Sequence, residues 1–421
     1  MAGLINRIRR FTHILGPGML FAAAAIGGSH LIQSTRGGAN YGFMLIIVVI
    51  LISFIKYPFF EFGQRFTAVT QKNLLQGYAE LGRWTLFLYF ALTIGRAFLT
   101  IATVSFITAN VAGYIIGATI SPLVFSIAIL SFCASFIFIG HYVWLERTIK
   151  VVLLILGIST IAAFIIAWPE NIERVHQTPM PDLWNLTTLG FLLAFMGWLP
   201  APLEFSIWTS LWTKRRQRLS QSHLTRKEVM IDFNVGYIFT AVLAMVFIGL
   251  GTLVMYGSGE VLAESGVKFI EELITMYTAH IGTWSQLIIE IVALTTMFST
   301  TITCLDAYPR AISNTLFLAY PSMKKYYQLM YWYSVLILFF GSIILSGYFI
   351  KGMHDLLGIT TTMAFLAAPL YAYLNYRVVT HDDIMPKEFQ PGKWMRIWSL
   401  FGIFFLTSVG ILFVTWHIWA E

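Results

Sequence analysis

The chain has 421 residues, of which 57% are hydrophobic, 16% aromatic and only 11% charged, with a formal net charge of +7. An ordinary soluble domain is about 25% charged, so the composition excludes a water-soluble globular fold and points to an all-α integral membrane protein. The surplus Lys and Arg lie in short stretches between apolar segments, where membrane topology accounts for them and no nucleic-acid surface is needed.

In chain order, Arg7, Arg9 and Arg10 precede the first apolar segment, 14–37, and no small-residue cleavage site follows. That pattern predicts a retained first span and a cytoplasmic N-terminus. The segment contains "AAAAIGGSH", so Gly27, Gly28, Ser29 and His30 interrupt a helical run at membrane depth. Segment two, 41–66, carries Glu61 between Lys56 and Arg65, which predicts a structural ion pair. Segments three to five span 85–114, 120–140 and 148–168, and Arg96 in the third is a cation at membrane depth. Cys133 and Cys304 both sit in apolar segments, so neither a disulfide framework nor a thiolate metal cluster is expected.

Segment six, 187–212, contains "GWLPAPLEF", where Pro200 and Pro202 remove two backbone donors within a few residues. Trp198, Leu199, Pro200 and Ala201 form this second break. Glu204 follows it, as a cation ligand or proton carrier, or as half of a buried pair with a basic neighbour such as Arg36. Trp198 walls an organic substrate or packs the bundle. Segment seven is 233–256. Segment eight, 282–305, holds "IVALTTMFSTTITCL" between Glu290 and Asp306; its hydroxyls read equally as a hydrated wall or as side chains bonded back to helix carbonyls. Segments 329–349, 355–376 and 395–418 complete the series, and the tryptophans at 208, 212, 394, 398, 416 and 419 read as interfacial anchors.

A spanning helix needs about 20 apolar residues, and the chain offers eleven such segments. The loops with Lys72 and Arg83, Arg147 and Lys150, Lys214 to Lys227, Arg310 to Lys325, and Arg377 and Lys387 fall on one side. Pro169 to Asp182, the acidic stretch Glu260 to Glu272 and the Lys351 to Asp355 turn fall on the other. The C-terminus is then outside, in a cell (inner or plasma) membrane. Breaks in the first and sixth segments, five spans apart, are the sequence mark of an inverted-repeat transporter. The repeats run about 14–168 and 187–376, with an extra helix at 395–418, in one membrane transport domain over 1–421.

Three stretches carry a resemblance: "GPGML" (16–20), "AVTQKNLLQGYAELGRW" (68–84) and "GWLPAPLEFSIWTSLW" (197–212). With the eleven-segment layout, the chain resembles the Nramp divalent-metal transporter family along its whole length. The resemblance implies the five-plus-five inverted-repeat, LeuT-like fold of the amino acid-polyamine-organocation superfamily and secondary-active transport by alternating access, with proton coupling. It implies no cofactor. It also implies a proton route through the third helix, at Arg96, with Glu61 and Asp306 as further pathway or supporting groups. Three departures stand out. Gln71 replaces the glycine of Val-Thr-Gly-Lys-x-Leu, Gly27-Gly28-Ser29-His30 replaces Asp-Pro-Gly-Asn, and Leu199-Pro200-Ala201 replaces Met-Pro-His.

The remaining metal-ligand candidates are His30, Glu204 and backbone carbonyls near Gly27 and Leu199. Such a set suits a hydrated Mg²⁺, which asks few direct ligands of a protein, better than Mn²⁺ or Fe²⁺. The alternative is an ion-coupled transporter of an amino acid or organic acid, whose carboxylate meets the exposed amides of the half-helix after Gly27-Gly28. An enzyme is not expected, since the zinc, serine-nucleophile and phosphate-loop motifs are missing. The sequence leaves the oligomeric state open.

Overall fold

The computed structural model describes residues 16–117, 121–140, 142–181, 185–219, 225–259, 263, 266–349 and 353–420. Arg7, Arg9, Arg10, Asp182, Glu260 and Lys351, used above for orientation, lie outside these residues. Every regular element among those described is helical. The first segment is α1 (Pro17–Ala25), a π-helical turn (Ser29–Ser34) and α2 (Thr35–Tyr41). Then come α3 (Met44–Thr70), α4 (Leu74–Leu81), α5 (Arg83–Ile116), α6 (Pro122–Ile139) and α7 (Tyr142–Gln177). The sixth segment is α8 (Leu186–Trp198) and α9 (Phe205–Leu219), and α10 (Arg226–Met255) follows. The rest are α11 (Gly266–Ile281), α12 (Gln286–Ala319), α13 (Tyr327–Tyr348), α14 (Met353–Thr380) and α15 (Lys393–Ala420).

Among the described residues, eight helices are each long and apolar enough to cross a membrane, and α7 makes a ninth if its parts, which meet at 69°, are one span. The two broken segments supply half-helices instead. Outward-facing apolar residues such as Phe138 and Ile344 are 75% and 72% exposed, as expected of a lipid-facing rim. The acidic stretch expected as an outside loop runs into α11, whose first half holds Glu271 and Glu272, and segment eight extends as α12 to Ala319.

The bundle centre is set by α10. Pro17 lacks an amide hydrogen, and the Gly16 and Gly18 amides on either side each donate to a different oxygen of Asp232, both at 2.8 Å. A carboxylate at a helix N-terminus satisfies orphan donors and complements the dipole. The same crossing needs two glycines: a Cβ on Gly236 would strike the Gly18 carbonyl, and one on Gly18 the Asp232 carbonyl. In α3, Pro58 leaves the Phe54 carbonyl without its usual amide partner. The Trp398 indole of α15 donates to that carbonyl at 3.1 Å while stacking on Phe54 and Tyr57. The anchor expectation fails for Trp208 and Trp212, which are buried against Phe205 and Tyr308 or each other. They sit on a half-helix enclosed by the bundle. Trp394 and Trp419 stay exposed.

Gln71, the residue in place of the resembled pattern's glycine, ends α3 in the left-handed region at φ 58°. A Cβ there costs roughly 1 kcal/mol, and the side chain is exposed. Gln71→Gly is thus expected to raise stability by about 0.5–1 kcal/mol, measured by thermal unfolding in detergent. A lower melting temperature would contradict this account of the turn.

Candidate functional site

The two breaks share one small cavity of about 20 Å³, room for about one water. Gly27, Gly28 and Ser29 line it from the first break, and Trp198, Pro202 and Phe205 from the second. Thr100 and Val104 of α5 and Thr300 and Cys304 of α12 close the sides. A Cβ on Gly27 would lie 2.6 Å from the Thr300 hydroxyl, so the glycine lets α12 approach the freed backbone. A larger recess of about 700 Å³ lies between α7, α10 and α11 around Arg174, Lys268 and Glu272, and contains no break residue. Its size reflects an open mouth; the small cavity is where the freed backbone converges.

The first break returns to helix through the π-turn, whose wider spacing is met by side chains. Ser34 Oγ donates to the Ser29 carbonyl at 3.0 Å, and Ser29 Oγ to the Ala25 carbonyl at 2.9 Å. His30 is fully buried beside the cavity but turned from it. Its Nε2 donates to the Thr240 carbonyl at 3.0 Å, and Nδ1 lies 2.8 Å from Ser29 Oγ.

The second break is held from behind. Lys56, fully buried on α3, directs its ammonium at the carbonyls of Met196, Gly197, Leu199 and Ala201, at 2.6, 3.0, 2.9 and 3.2 Å. The Leu199–Pro200 peptide between them is cis. Glu204 pairs with Arg96 Nη1 at 2.7 Å and accepts from the Tyr308 hydroxyl at 2.6 Å. The partner is Arg96 of α5, not Arg36, because the break turns Glu204 toward the α5–α12 side. The Thr100 hydroxyl lies 3.0 Å from the same Tyr308 oxygen, which can accept from it once its own hydrogen is given to Glu204, and this links the pair to a cavity wall.

Two other expected groups stand apart. Glu61 is closed by Arg65 one turn on, at 2.6 Å, with no part for Lys56. Asp306 pairs with Arg310 at 2.6 Å and accepts from Tyr331 of α13, also at 2.6 Å. Of the α12 hydroxyls, Thr295 and Thr301 bond back to the helix, Thr300 both bonds back and lines the cavity, and Thr296 and Ser299 are buried with no protein partner.

The metal-ligand candidates each have partners already. Both His30 nitrogens and both Glu204 oxygens are engaged, the Leu199 carbonyl faces Lys56, and the Gly27 carbonyl accepts from the His30 and Leu31 amides. Among the described residues no three His, Cys, Asp or Glu side chains gather as a metal cluster. Sequence reasoning missed Lys56 as the partner of the sixth break, although a buried cation with no second carboxylate nearby was a visible signal. It also missed Asp232, Tyr308, Thr100 and Phe205, whose roles come from neighbours far along the chain.

With this geometry in view, a model of the family described as Natural resistance-associated macrophage protein-like (Nramp) matches residues 18–415. An uncharacterized protein of Pasteurella multocida (strain Pm70) is 35% identical over 410 residues, covering 95% of this chain and 91% of that one. Among solved structures, the Eremococcus coleocola manganese transporter superposes with a TM-score of 0.66 at 15% identity, covering 94% of this chain and 85% of that chain. MhsT in complex with L-phenylalanine superposes with a TM-score of 0.63 at 14% identity, covering 94% and 97%. The last two share the fold. The chain belongs to the Nramp family, a family of membrane transporters of metal ions and not of enzymes.

A buried ion pair is costly to break by halves. Glu204→Leu or Arg96→Met alone is expected to lose about 3–5 kcal/mol, and the double variant much less than the sum of the two. Thermal or denaturant unfolding of the four proteins in detergent measures this; additive losses would show that the pair is not a unit.

Proposed function

We propose that this Nramp-family chain is a secondary-active transporter that moves a divalent metal cation by alternating access, Mg²⁺ in preference to Mn²⁺ or Fe²⁺. The observation that carries the reading is the cavity shared by the two helix breaks, since paired discontinuous helices put substrate at mid-membrane in transporters of this kind. Family membership supports the cargo class, and the Eremococcus coleocola protein of the same fold is a manganese transporter. The donor set supports Mg²⁺. The cavity offers the Ser29, Thr100 and Thr300 hydroxyls and no carboxylate, which suits an ion that keeps its waters and is held through them.

In this reading the chain is one transport domain of two inverted repeats, about 14–168 and 187–376, with an extra helix at 395–418. It lies in the cell membrane with the N-terminus cytoplasmic and the C-terminus outside. Gly27, Gly28, Ser29 and Trp198 wall the cargo, while Leu199, Pro200 and Ala201 shape the break. His30 holds the first break to α10. Proton coupling acts through Glu204, whose charge is balanced by Arg96; Glu61 and Asp306, each closed in an ion pair, support the bundle. Opening of the half-helices enlarges the cavity to admit a hydrated ion.

A second reading, transport of a small organic solute, is favoured by one specific observation. The walls are mostly apolar, with the Trp198 and Phe205 rings, and behind them lie two cations, Lys56 against backbone carbonyls and Arg96 paired with the carboxylate of Glu204. That balance attracts an anionic or zwitterionic solute more than a dication. Uptake by proteoliposomes under an imposed pH gradient separates the two. Mg²⁺ is expected to accumulate, with Ser29→Ala slowing it about threefold to tenfold, the worth of one hydrogen bond. Accumulation of an amino acid or organic acid without Mg²⁺ or Mn²⁺ would reject the metal reading.

A further inference from the structure

We propose that the break in the sixth segment is a coordination cage for a monovalent cation, and that the Lys56 ammonium is its built-in cation, tethered to α3. Four carbonyls of one break, from Met196, Gly197, Leu199 and Ala201, converge on Lys56 Nζ within 2.6–3.2 Å. An ammonium has only three hydrogens to donate. Four oxygens around one nitrogen therefore form a shell of the kind that carbonyls make around a potassium ion, not a one-to-one set of hydrogen bonds.

Charge and position agree with this. Two of the four carbonyls belong to the last turn of α8, where the helix dipole places partial negative charge. The shell has no carboxylate: Glu61 is taken by Arg65 and Glu204 by Arg96. A cage of neutral oxygens suits a monovalent ion and gives too little charge for a dication. Lys56 is fully buried, so the resident cation does not exchange with solvent. Discontinuous helices of other transporters hand their freed carbonyls to a sodium ion. Here the chain supplies the ion itself, and the break stays ordered without an external alkali cation. This cage lies behind the second break and is independent of which cargo the cavity carries.

Removing the side chain beyond Cβ should leave a cage that small cations refill. Lys56→Ala deletes the equivalent of n-propylammonium, and potassium and ammonium ions are close in size. The test is thermal unfolding of the full chain in detergent, with K⁺, NH₄⁺ or n-propylammonium against choline as the large-cation control. The wild type is expected to melt at the same temperature in all four salts. Lys56→Ala should melt lower in choline and recover about half or more of the loss as the small cations saturate the cage. If the variant cannot be purified in choline, solubilisation in each salt is itself the assay. Monodisperse protein with the small cations only supports the cage, and equal loss in every salt overturns it. A wild-type melting temperature that rises in K⁺ over choline would also overturn it, because the cage would then be open to exchange.

Discussion

A backbone carbonyl released from its helix inside a bilayer has no water to accept from, so every such group must find a partner within the protein. That constraint governs both broken segments. At the first break the chain meets it locally, through the π-turn and the Ser29 and Ser34 hydroxyls. At the second it meets it from a distance, with the Lys56 ammonium serving four carbonyls at once. The two breaks can face each other across a cavity because their unpaired groups are already committed on the far sides. What remains toward the cavity is chiefly small, apolar or hydroxyl-bearing.

This division shapes the electrostatics. The Arg96–Glu204 pair is neutral as a unit and tied to the cavity wall through Tyr308 and Thr100. Lys56 is sealed behind carbonyls. In the proposed reading, a cargo in the cavity would meet dipoles and rings before it met formal charge, which disfavours a stripped dication. The open recess near Lys268 and Glu272 belongs to another region, where α7, α10 and α11 end.

Much of the architecture was legible in the sequence because glycine and proline change the backbone itself. Gly27-Gly28 and Pro200 with Pro202 mark the breaks whatever surrounds them, and apolar length marks the spans. Side-chain partnerships were not legible in the same way. Glu204 was assigned a basic neighbour by type, and the fold chose Arg96, 108 residues away, over Arg36. Lys56 was read beside Glu61 by sequence proximity, yet its partners lie 140 to 145 residues on and are main-chain atoms that no residue name reveals. Trp208 and Trp212 occupy positions where a regular span would meet the headgroups; enclosure of α9 by the bundle buries them. The Gly18 to Gly236 crossing escaped notice because a glycine announces freedom, not the neighbour that needs its bareness.

Trp398 has a bearing on how the protein is made. The Phe54 carbonyl is vacated by Pro58 early in synthesis, in a helix among the first to enter the membrane, but the indole that serves it lies some 344 residues later. α15 thus meets an acceptor that Pro58 opens in the second segment, so without α15 that face of α3 would carry an unpaired carbonyl.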